Sequence, residues 1–429
     1  MESRPALYDL TRLSGRLLSP TPGGIDRMDF AYAKHVLSKP GAASVGLSLR
    51  GPALFSSDVS DAILGKMRSL WEAPDRTDVA VEARFDTLRK IEAWLRDGAP
   101  GRSEPGIHRI TARRAKRNLR GALPAYAGLA LQGRSLHRRA PENAIYLNVS
   151  QFPLWNSAYT NWLDARPDVR CVAMIHDLLP LQYPEFFPAH EKQRHERRLA
   201  FLARRGNGAI VSTSVVQRDL AAQLAALGRS DMPIHVAHLP VEDAFDAPPE
   251  PDGAVRTDVP YFVTCGTIEP RKNHLMLLQL WREMVETSGG DAPRLIIVGR
   301  RGWDNETVFR IFDRSATLSR HVLEVNGLST LELRHLLAGA RALLAPSLAE
   351  GFGLPISEGR AAGAPVIASD IPVFREIGGP DMTHVHPFDV PGWKHAVDQA
   401  MRGLLPRPSP GGMNHAAYFS GVDAFLATL

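Results

Sequence analysis

Short apolar runs alternate with amphipathic segments along the chain from residue 144 onward. The apolar runs are "AIYL" at 144–147, "CVAMI" at 171–175, "AIV" at 209–211 and "IHV" at 234–236. Segments such as "HEKQRHERRLAFLARR" and "TSVVQRDLAAQLAALG" lie between them and have the spacing of amphipathic helices. Strands that alternate with helices predict a parallel sheet covered by helices on both faces. This region is therefore predicted to form a doubly wound α/β domain.

A second series of the same kind follows. Its strand candidates are "YFVTC" at 261–265, "RLIIV" at 294–298, "ALLA" at 342–345 and "PVIA" at 365–368, with helical patterns at 274–285, 330–339 and 355–362. The stretch "APPEPDG" at 247–253 separates the two series and has the composition of an exposed linker. We predict two Rossmann-like, doubly wound domains that face each other across a cleft, with the ligand at the carboxyl ends of the strands. The first domain is expected to cover residues 1–246 and the second 254–407, with a tail, 408–429, that can pack back on the first.

Length and composition agree with this organisation. The chain has 429 residues, of which 44% are hydrophobic and 23% charged, and this length exceeds one ordinary hydrophobic core. No run of about 18 apolar residues occurs, and the N-terminal residues lack a basic start followed by an apolar core. We therefore expect a cytoplasmic location without a membrane span. Cys171 and Cys265 each lie beside a predicted buried strand and are interpreted as core thiols rather than as a disulfide or metal site.

Positive charge is concentrated between Arg109 and Arg139. This stretch contains nine Lys or Arg and no acid, whereas the formal net charge of the whole chain is +5. Such a segment predicts an anionic partner. An acidic membrane surface or a lipid-linked phosphate is favoured, a solvated basic face is the structural alternative, and nucleic acid is the least favoured of the three.

Two carboxylates bracket a glycine-rich loop in "EGFGLPISE", which runs from Glu350 to Glu358. The loop follows a predicted strand, and Pro355 is well placed as the first residue of the next helix. Gly351 and Gly353 let the backbone approach a ligand closely, and the free amides at a helix start can bind phosphate or hydroxyl oxygens. The two acids can accept hydrogen bonds from vicinal hydroxyls of a sugar or a ribose. A strand-to-helix turn with a capping acid is the structural alternative.

A basic pair follows the first strand of the second domain in "CGTIEPRKNH". Arg271 and Lys272 lie where this strand turns into its helix. A diphosphate leaving group gains negative charge as its bond breaks, and a fixed Arg and Lys stabilise that charge most in the transition state. The alternative is an exposed basic turn without a ligand.

The first domain offers two further candidates. His176 follows the apolar run of "CVAMIHDLLPL" at the sheet edge where ligands bind, and it could hydrogen-bond a sugar hydroxyl. Gly23 and Gly24 form a second glycine-rich loop, in "TPGGIDR", before a helical pattern. A structural histidine and an ordinary turn are the alternatives.

The sequence shows no pattern for a divalent cation. It contains no Asp-x-Asp triplet to carry a cation on a diphosphate, and no Cys/His cluster with metal-ligand spacing. We therefore predict chemistry without a metal or other cofactor, in which Arg271, Lys272 and backbone amides take the place of the ion.

These segments carry a family resemblance. "GTIEPRKN", "LLAPSLAEGFGLPISEGRAAGAPVIASDIPVFREIGG" and "IHDLLPLQYPE" resemble the retaining nucleotide-sugar glycosyltransferases of family 4, within glycosyl transferases group 1, which have the GT-B fold. The resemblance covers about Tyr261 to Gly379 in the second domain and scattered segments, around 22–34, 144–184 and 209–245, in the first.

The resemblance implies a role for each matching residue. Glu350 would lie near the donor sugar and Glu358 would bind the ribose hydroxyls. Arg271 and Lys272 would hold the diphosphate, and His176 would contact the sugar. The remaining residues implied in donor binding are Gly351, Phe352, Gly353, Leu354, Gly23, Gly24, Gly266 and Thr267.

The implied activity is transfer of a hexose from a nucleotide-sugar, with GDP-mannose slightly favoured, to a lipid-linked saccharide in surface polysaccharide synthesis. This hypothesis includes retention of the anomeric configuration. It also includes peripheral contact with the inner membrane face through residues 109–139. An epimerase or glycan phosphorylase of the same fold is one alternative. A non-catalytic module that binds glycan or nucleic acid is the other.

The sequence departs from the family in two places. Gly421 stands where many relatives have a Trp, in a C-terminal helix that crosses back to the first domain. Residues 50–140, where acceptor specificity usually lies in the family, match no family pattern.

Overall fold

The computed structural model describes residues 4–19, 21–48, 51–72, 85–97, 106–111, 136–245, 254–255, 257–408 and 413–429. Within these ranges the strands are β1 (Ala6–Asp9), β2 (Ala43–Ser48), β3 (Gly51–Phe55), β4 (His108–Thr111), β5 (Ile145–Asn148), β6 (Arg170–Ile175), β7 (Gly206–Val211), β8 (Ile234–Val236), β9 (Tyr261–Cys265), β10 (Arg294–Val298), β11 (Val322–Asn326), β12 (Ala342–Ala345), β13 (Val366–Ser369) and β14 (Met382–Val385). The helices are α1 (Thr11–Ser14), α2 (Gly24–Leu37), α3 (Ser57–Trp71), α4 (Asp86–Asp97), α5 (Leu136–Arg139), α6 (Ser157–Thr160), α7 (Leu179–Gln182), α8 (His190–Arg205), α9 (Ser214–Ala226), α10 (His274–Ser288), α11 (Glu306–Arg314), α12 (Thr330–Ala338), α13 (Leu354–Ala361), α14 (Pro372–Gly378), α15 (Val390–Met401) and α16 (His415–Ala427).

The described strands form two seven-stranded sheets. The first has the order β3-β2-β1-β5-β6-β7-β8 and the second β14-β13-β12-β9-β10-β11-β4. Neighbouring strands run parallel except for β2 and β3, which pair as an antiparallel edge. The prediction of two doubly wound domains is confirmed.

Each sheet is packed by apolar side chains on both faces. Leu147, Val172 and Ile210 belong to one core cluster of the first sheet, while their neighbours Tyr146 and Cys171 belong to the cluster on the opposite face. The buried side chains of the second sheet are likewise divided between two core clusters, one on each face. Burial on both faces explains why these strands appear in the sequence as continuous apolar runs rather than as alternating patterns.

Residues 85–97 and 106–111 belong to the second domain, which differs from the expected boundary of residues 1–246 for the first. Strand β4 pairs in parallel with β11 at the edge of the second sheet. Helix α4 buries Leu88, Ile91 and Trp94 in the core cluster of the same domain. The amide of Thr87 also donates to Glu332 Oε1 at 3.1 Å. An amphipathic helix must bury its apolar face somewhere, and here the second sheet supplies the partner surface.

The C-terminal helix α16 packs back on the first domain, against α2. The hydroxyls of Tyr32 and Tyr418 are 2.7 Å apart, and the ring of Phe419 stacks on His35 with centroids 4.1 Å apart. Asp423 accepts a hydrogen bond from Lys39 Nζ at 2.5 Å. The crossing therefore forms with Gly421 in place of the Trp found in relatives.

Two predicted segments lie largely outside the described residues. These are the linker at 247–253 and most of the basic stretch, 112–135. At the start of that stretch, Arg109 lies in β4 and its Nη2 is 2.6 Å from the buried Glu324 Oε1, so this cation has a partner within the protein. No helix among the described residues is long and apolar enough to cross a membrane.

Helix α2 carries a buried acid that bears on the stability of the first domain. Asp29 is fully buried and accepts a hydrogen bond from the Tyr8 hydroxyl at 2.6 Å. Burial raises the pKa of Asp29 to about 8, although the Tyr8 hydrogen bond opposes this change. The folded protein therefore holds a proton on Asp29 at pH values where the unfolded chain has released it.

We expect Asp29→Asn to become progressively more stabilising, relative to the wild type, as pH rises from about 4 to about 8. Across that range the unfolded state ionises and the folded state does not, so the wild type loses stability with rising pH, whereas the asparagine variant does not titrate. The measurement is the difference in Tm between variant and wild type across this range. Asp61→Asn, on the exposed surface of α3, is the control. A difference that does not change with pH would contradict the expectation.

Candidate functional site

The loop between β12 and α13 forms the centre of the candidate site. It carries Glu350 at its midpoint and ends at Gly353, which has φ +102° and immediately precedes α13. A Cβ at Gly353 would lie 2.6 Å from the ring of Phe374, so both the backbone conformation and the packing require glycine here. This turn places the carboxylate of Glu350 beside the N-terminus of a helix at the carboxyl edge of the second sheet.

Glu350 is buried between two cations. Its Oε2 lies 2.5 Å from Arg271 Nη1, and its Oε1 accepts hydrogen bonds from Lys272 Nζ and from Ser347 Oγ, the latter at 2.8 Å. Arg271 is also bound on its other side, where Nη2 lies 2.7 Å from Glu269 Oε1. The structure therefore joins the two separate sequence motifs into one ion-pair network.

The network changes the protonation behaviour of its members. Burial alone would raise the pKa of Glu350, but the charges of Arg271 and Lys272 outweigh it and lower the pKa to about 2. Burial raises the pKa of Glu269, against the opposing charge of Arg271. Glu350 is therefore a permanent anion at neutral pH, and it holds both cations in fixed positions.

Gly351 joins this loop to the first domain. A Cβ at Gly351 would lie only 2.5 Å from the carbonyl oxygen of His176 and 2.7 Å from Asp177 Cβ, both at the end of β6. Its own carbonyl oxygen accepts a hydrogen bond from Ser212 Oγ at 3.1 Å, just after β7. The two sheets thus present their carboxyl edges to each other across this glycine, as the predicted cleft requires.

A second contact between the domains lies at α14. Glu376 accepts hydrogen bonds from the amide and hydroxyl of Ser214, both at 2.7 Å, and from the amide of Val215 at 3.2 Å. His238 Nε2 lies 2.9 Å from the same carboxylate. A second-domain acid therefore caps the first turn of α9 in the first domain.

His176 lies beside the Glu350 loop, as its sequence position suggested. Its Nε2 donates to the carbonyl of Val149 at 2.8 Å, and burial lowers the pKa of this histidine to about 4, against the opposing charge of Asp177. The imidazole is thus neutral at physiological pH, and its Nε2 is committed to the backbone. A sugar contact through its other nitrogen stays a prediction.

Glu358 lies on α13 and is paired across the domains. Its Oε1 accepts a hydrogen bond from Arg27 Nη1 at 2.8 Å, and burial raises the pKa of Glu358 although Arg27 opposes this. Arg27, on α2, also approaches Glu242, with Nε and Oε1 3.5 Å apart. These three side chains help to line a cavity of about 220 Å³, together with Thr330 and Leu354. Binding of ribose hydroxyls by Glu358 stays a prediction.

The glycine loop of the first domain meets the second domain at the same place. Gly23 precedes α2 and Gly24 begins it, and a Cβ at Gly24 would lie 3.2 Å from Leu354 Cδ1 at the start of α13. Phe352 is buried in a core cluster of the first domain. The structure therefore brings Gly23 and Gly24 to the loop that holds Gly351 through Leu354.

Gly266 and Thr267 follow β9. A Cβ at Gly266, which has φ +136°, would lie 3.1 Å from Lys272 Cε, so glycine leaves the path that the lysine side chain takes to Glu350. Thr267 packs against the backbone of Gly302. Gly266 thus supports the position of Lys272.

Sequence reasoning assigned no role to three of the residues that complete this arrangement: Glu269, Arg27 and Glu376. The segment "GTIEPRKN" could have indicated Glu269, because an acid two positions before a candidate phosphate-binding Arg can orient that Arg. The other two make their contacts across the domain interface, which no local pattern reveals. No group of three or more His, Cys, Asp or Glu in the described part of the chain could hold a metal ion.

Comparison with known proteins defines the class. Two Rossmann-like domains with a charged cleft between their sheet edges make up the GT-B fold, and the prediction of that fold is confirmed. Residues 250–404 match the family model described as Glycosyl transferases group 1. The match lies in the second domain and agrees with the sequence resemblance, while the narrower assignment to family 4 stays a prediction.

The chain is similar to several named mannosyltransferases over part of their length. Over 220 residues it is 31% identical to the serotype-specific mannosyltransferase WbdA of Escherichia coli. This alignment covers 48% of this chain and 26% of that protein. Over 141 residues it is 34% identical to the O-antigen chain mannosyltransferase RfbU of Salmonella typhimurium. This second alignment covers 32% of this chain and 37% of that protein. The chain thus spans about a quarter of the length of WbdA.

Solved structures support the fold over the whole chain. A crystal structure of Anabaena Alr3699/HepE in complex with UDP-glucose aligns with a TM-score of 0.57 at 12% identity, covering 99% of this chain and 94% of that one. Sucrose-phosphate synthase from Thermosynechococcus elongatus aligns with a TM-score of 0.54 at 16% identity and the same coverage. At these identities the likeness concerns the fold alone.

We expect Gly351→Ala to hold the two domains apart while each remains folded. The added methyl group would overlap the His176 carbonyl and Asp177, whose backbone is fixed by β6, so the domains would have to separate to relieve the contact. Small-angle X-ray scattering should show a larger radius of gyration for the variant, with an unchanged circular dichroism spectrum. Gly65→Ala is the matched control because a Cβ at Gly65 meets nothing within 4 Å. An unchanged radius of gyration for Gly351→Ala would refute the expectation.

Proposed function

We propose that this protein is a retaining, metal-independent glycosyltransferase that transfers a hexose from a nucleotide-sugar to a saccharide acceptor. The observation that carries the proposal is the buried network of Arg271, Lys272 and Glu350 beside the N-terminus of α13. A pair of fixed cations next to the N-terminus of a helix is suited to a diphosphate. The group 1 family match covers this same network.

The donor would occupy the space between the two glycine loops. In this proposal the diphosphate lies against Arg271 and Lys272, the sugar near Glu350 and His176, and the ribose near Glu358. Both cations contact Glu350 in the structure, so donor binding must exchange some of these contacts for phosphate oxygens. Glu350 would then serve to hold the cations in position and to accept hydrogen bonds from sugar hydroxyls.

The proposed reaction breaks the bond between the anomeric carbon and the diphosphate oxygen. Negative charge grows on that oxygen, and Arg271, Lys272 and the α13 amides stabilise it more in the transition state than in the ground state. The anomeric carbon becomes oxocarbenium-like, and the acceptor hydroxyl attacks from the face the leaving group is vacating. The hydroxyl proton passes to a phosphate oxygen of the departing nucleoside diphosphate. Attack on that face retains the anomeric configuration, and no side chain is required as general base.

The sugar and acceptor are proposed from the relatives. WbdA and RfbU are named mannosyltransferases, and RfbU is named for the O-antigen chain. We therefore propose GDP-mannose as the donor and a lipid-linked saccharide of a surface polysaccharide as the acceptor. A cytoplasmic location at the inner membrane face would give access to such a lipid.

A nucleotide panel tests the donor site. We expect the Tm of the purified protein to rise with GDP more than with UDP, dTDP or ADP, and to the same extent with and without magnesium. A ligand present at 100 times its dissociation constant stabilises by about 2.7 kcal/mol, which a thermal shift detects readily. A shift with another nucleotide would reassign the donor, a shift that requires magnesium would contradict metal independence, and no shift with any nucleotide would refute the proposal.

Two substitutions separate the roles within the network. Lys272→Ala should lower sugar transfer by about 100-fold, because it removes a cation from the leaving group, and should also weaken GDP binding. Glu350→Gln should lower transfer without weakening GDP binding, since it releases both cations from a competing anion. Transfer to octyl α-D-mannopyranoside and calorimetric GDP titration measure the two effects. Equal loss of GDP affinity in both variants would contradict the assigned roles.

A further inference from the structure

A group of charged and aromatic side chains lies on the first-domain side of the cleft and is used by none of the steps above. We call it the first-domain polar cluster, and it consists of Trp155, Asp177, Glu191, Arg194, His195 and Arg198. The residues come from the loop after β5, the loop after β6 and helix α8. All three places lie at the carboxyl edge of the first sheet, where ligands bind in open parallel sheets.

Direct contacts connect five members of the cluster, and the sixth, Asp177, acts on His195 and Arg198 through its charge. The guanidinium of Arg194 lies over the Trp155 ring, 4.9 Å from its centroid, and its Nη1 is 2.7 Å from Glu191 Oε1. Arg198 Nη1 lies 2.7 Å from His195 Nδ1 and 3.6 Å from Glu191 Oε2. Glu191 therefore ties together both arginines, and Arg194 covers the tryptophan.

Three buried N–H groups of the cluster have no hydrogen-bond acceptor among the described residues. These are Trp155 Nε1, His195 Nε2 and Arg198 Nε. His195 is only 7% exposed, and because its Nδ1 accepts from Arg198, its Nε2 carries the proton of the neutral ring. A buried donor without an acceptor is destabilising, so three in one cluster favour a state in which a ligand supplies acceptor oxygens.

The cluster adjoins the proposed donor site through Asp177. A Cβ at Gly351 would lie 2.7 Å from Asp177 Cβ, and Gly351 is next to Glu350 in the chain. A molecule held by the cluster would therefore reach the donor sugar from the first-domain side. The cations proposed to hold the diphosphate occupy the second-domain side of the cleft. The body of the acceptor can therefore lie on the first-domain side while its hydroxyl reaches the anomeric carbon on the leaving-group face.

The charges of the cluster favour a neutral ligand over an anionic one. Arg194 and Arg198 are balanced by Glu191 and Asp177, so a phosphate dianion would meet no net positive charge. A saccharide is neutral, its hydroxyl and ring oxygens are acceptors for N–H groups, and its apolar face can pack on an aromatic ring. Arg194 is 39% exposed and forms the outer side of the cluster, so its displacement from Trp155 opens a path to the buried donors.

We propose that the first-domain polar cluster binds the terminal sugar of the acceptor saccharide, with N–H groups of Trp155, His195 and Arg198 donating to its oxygens. The proposal rests on the proposed function, because it assigns the acceptor of the same reaction. It places part of acceptor recognition in residues 155–198, beyond the segment at 50–140 where the family resemblance located it.

The test uses the full chain and two variants of the cluster. Trp155→Phe removes one N–H donor and keeps an aromatic ring under Arg194, and Arg194→Ala removes the cover. The control is Arg204→Ala in the same helix, because Arg204 is 54% exposed and pairs with Asp164 on the surface. Saturation-transfer NMR, with GDP present, measures binding of octyl α-D-mannopyranoside directly, and Tm values show whether each variant is folded.

We expect the wild type and Arg204→Ala to bind the mannoside equally, and Trp155→Phe to lose about tenfold in affinity. Loss of one hydrogen bond to a ligand, about 1.4 kcal/mol, corresponds to that factor. Arg194→Ala should bind at least as tightly as the wild type, because it opens the path to the buried donors. For Trp155→Phe, the KM for the mannoside in transfer from GDP-mannose should rise about tenfold. Hydrolysis of GDP-mannose without acceptor, and GDP affinity, should stay within about twofold of the wild type, because neither Trp155 nor Arg194 belongs to the network of Glu350, Arg271 and Lys272.

Equal mannoside binding by the wild type and Trp155→Phe would overturn the proposal, and so would no mannoside binding by the wild type. Competition of the mannoside by inorganic phosphate at the cluster would also overturn it, in favour of a phosphate site. Failure of the proposed function has a different signature, since the wild type would then neither bind a nucleotide nor hydrolyse a nucleotide-sugar. Mannoside binding that depends on Trp155 would still support the cluster in that case.

Discussion

The ion pairing of the buried Glu350 carboxylate is the interaction on which the second-domain side of the cleft depends. A charge of this kind is costly to bury unless it is paired and hydrogen-bonded, and Glu350 meets that condition with Arg271, Lys272 and Ser347. The same pairing keeps two cations beside the start of α13. In the proposed reaction these cations meet the charged leaving group, and they are already held in position because each charge is neutralised by another.

The contact at Gly351 couples this site to the first domain. Only a residue without a side chain lets the loop approach the His176 carbonyl so closely, and Ser212 then donates a hydrogen bond to the loop from the next strand. Glu376 adds a second attachment by capping α9. The two domains therefore meet through specific polar contacts, and the first-domain polar cluster owes its position beside Glu350 to them.

Local patterns in the sequence predicted most of the strands of both sheets. Seven strands are buried on both faces, so each appears as a continuous apolar run that a pattern can detect. They are β5, β6, β7, β9, β10, β12 and β13. β4 was missed because it has only four residues, "HRIT", and lies at a sheet edge where two of its side chains are exposed. Its assignment to the second domain depends on pairing with β11, more than 200 residues later in the chain.

In the candidate site, too, some features follow from local sequence and others only from the tertiary structure. By itself the sequence determined the two doubly wound domains and the motifs that end at their strand edges, because burial, strand length and turn residues act over a few neighbouring positions. It also indicated Glu350, Arg271, Lys272 and His176 as candidates. Only the tertiary structure decided that Arg271 and Lys272 share Glu350, that Arg27 reaches Glu358 from the other domain, and that residues 108–111 complete the second sheet. Those contacts join positions 78 to 331 residues apart, and their geometry depends on how whole domains pack rather than on any local pattern.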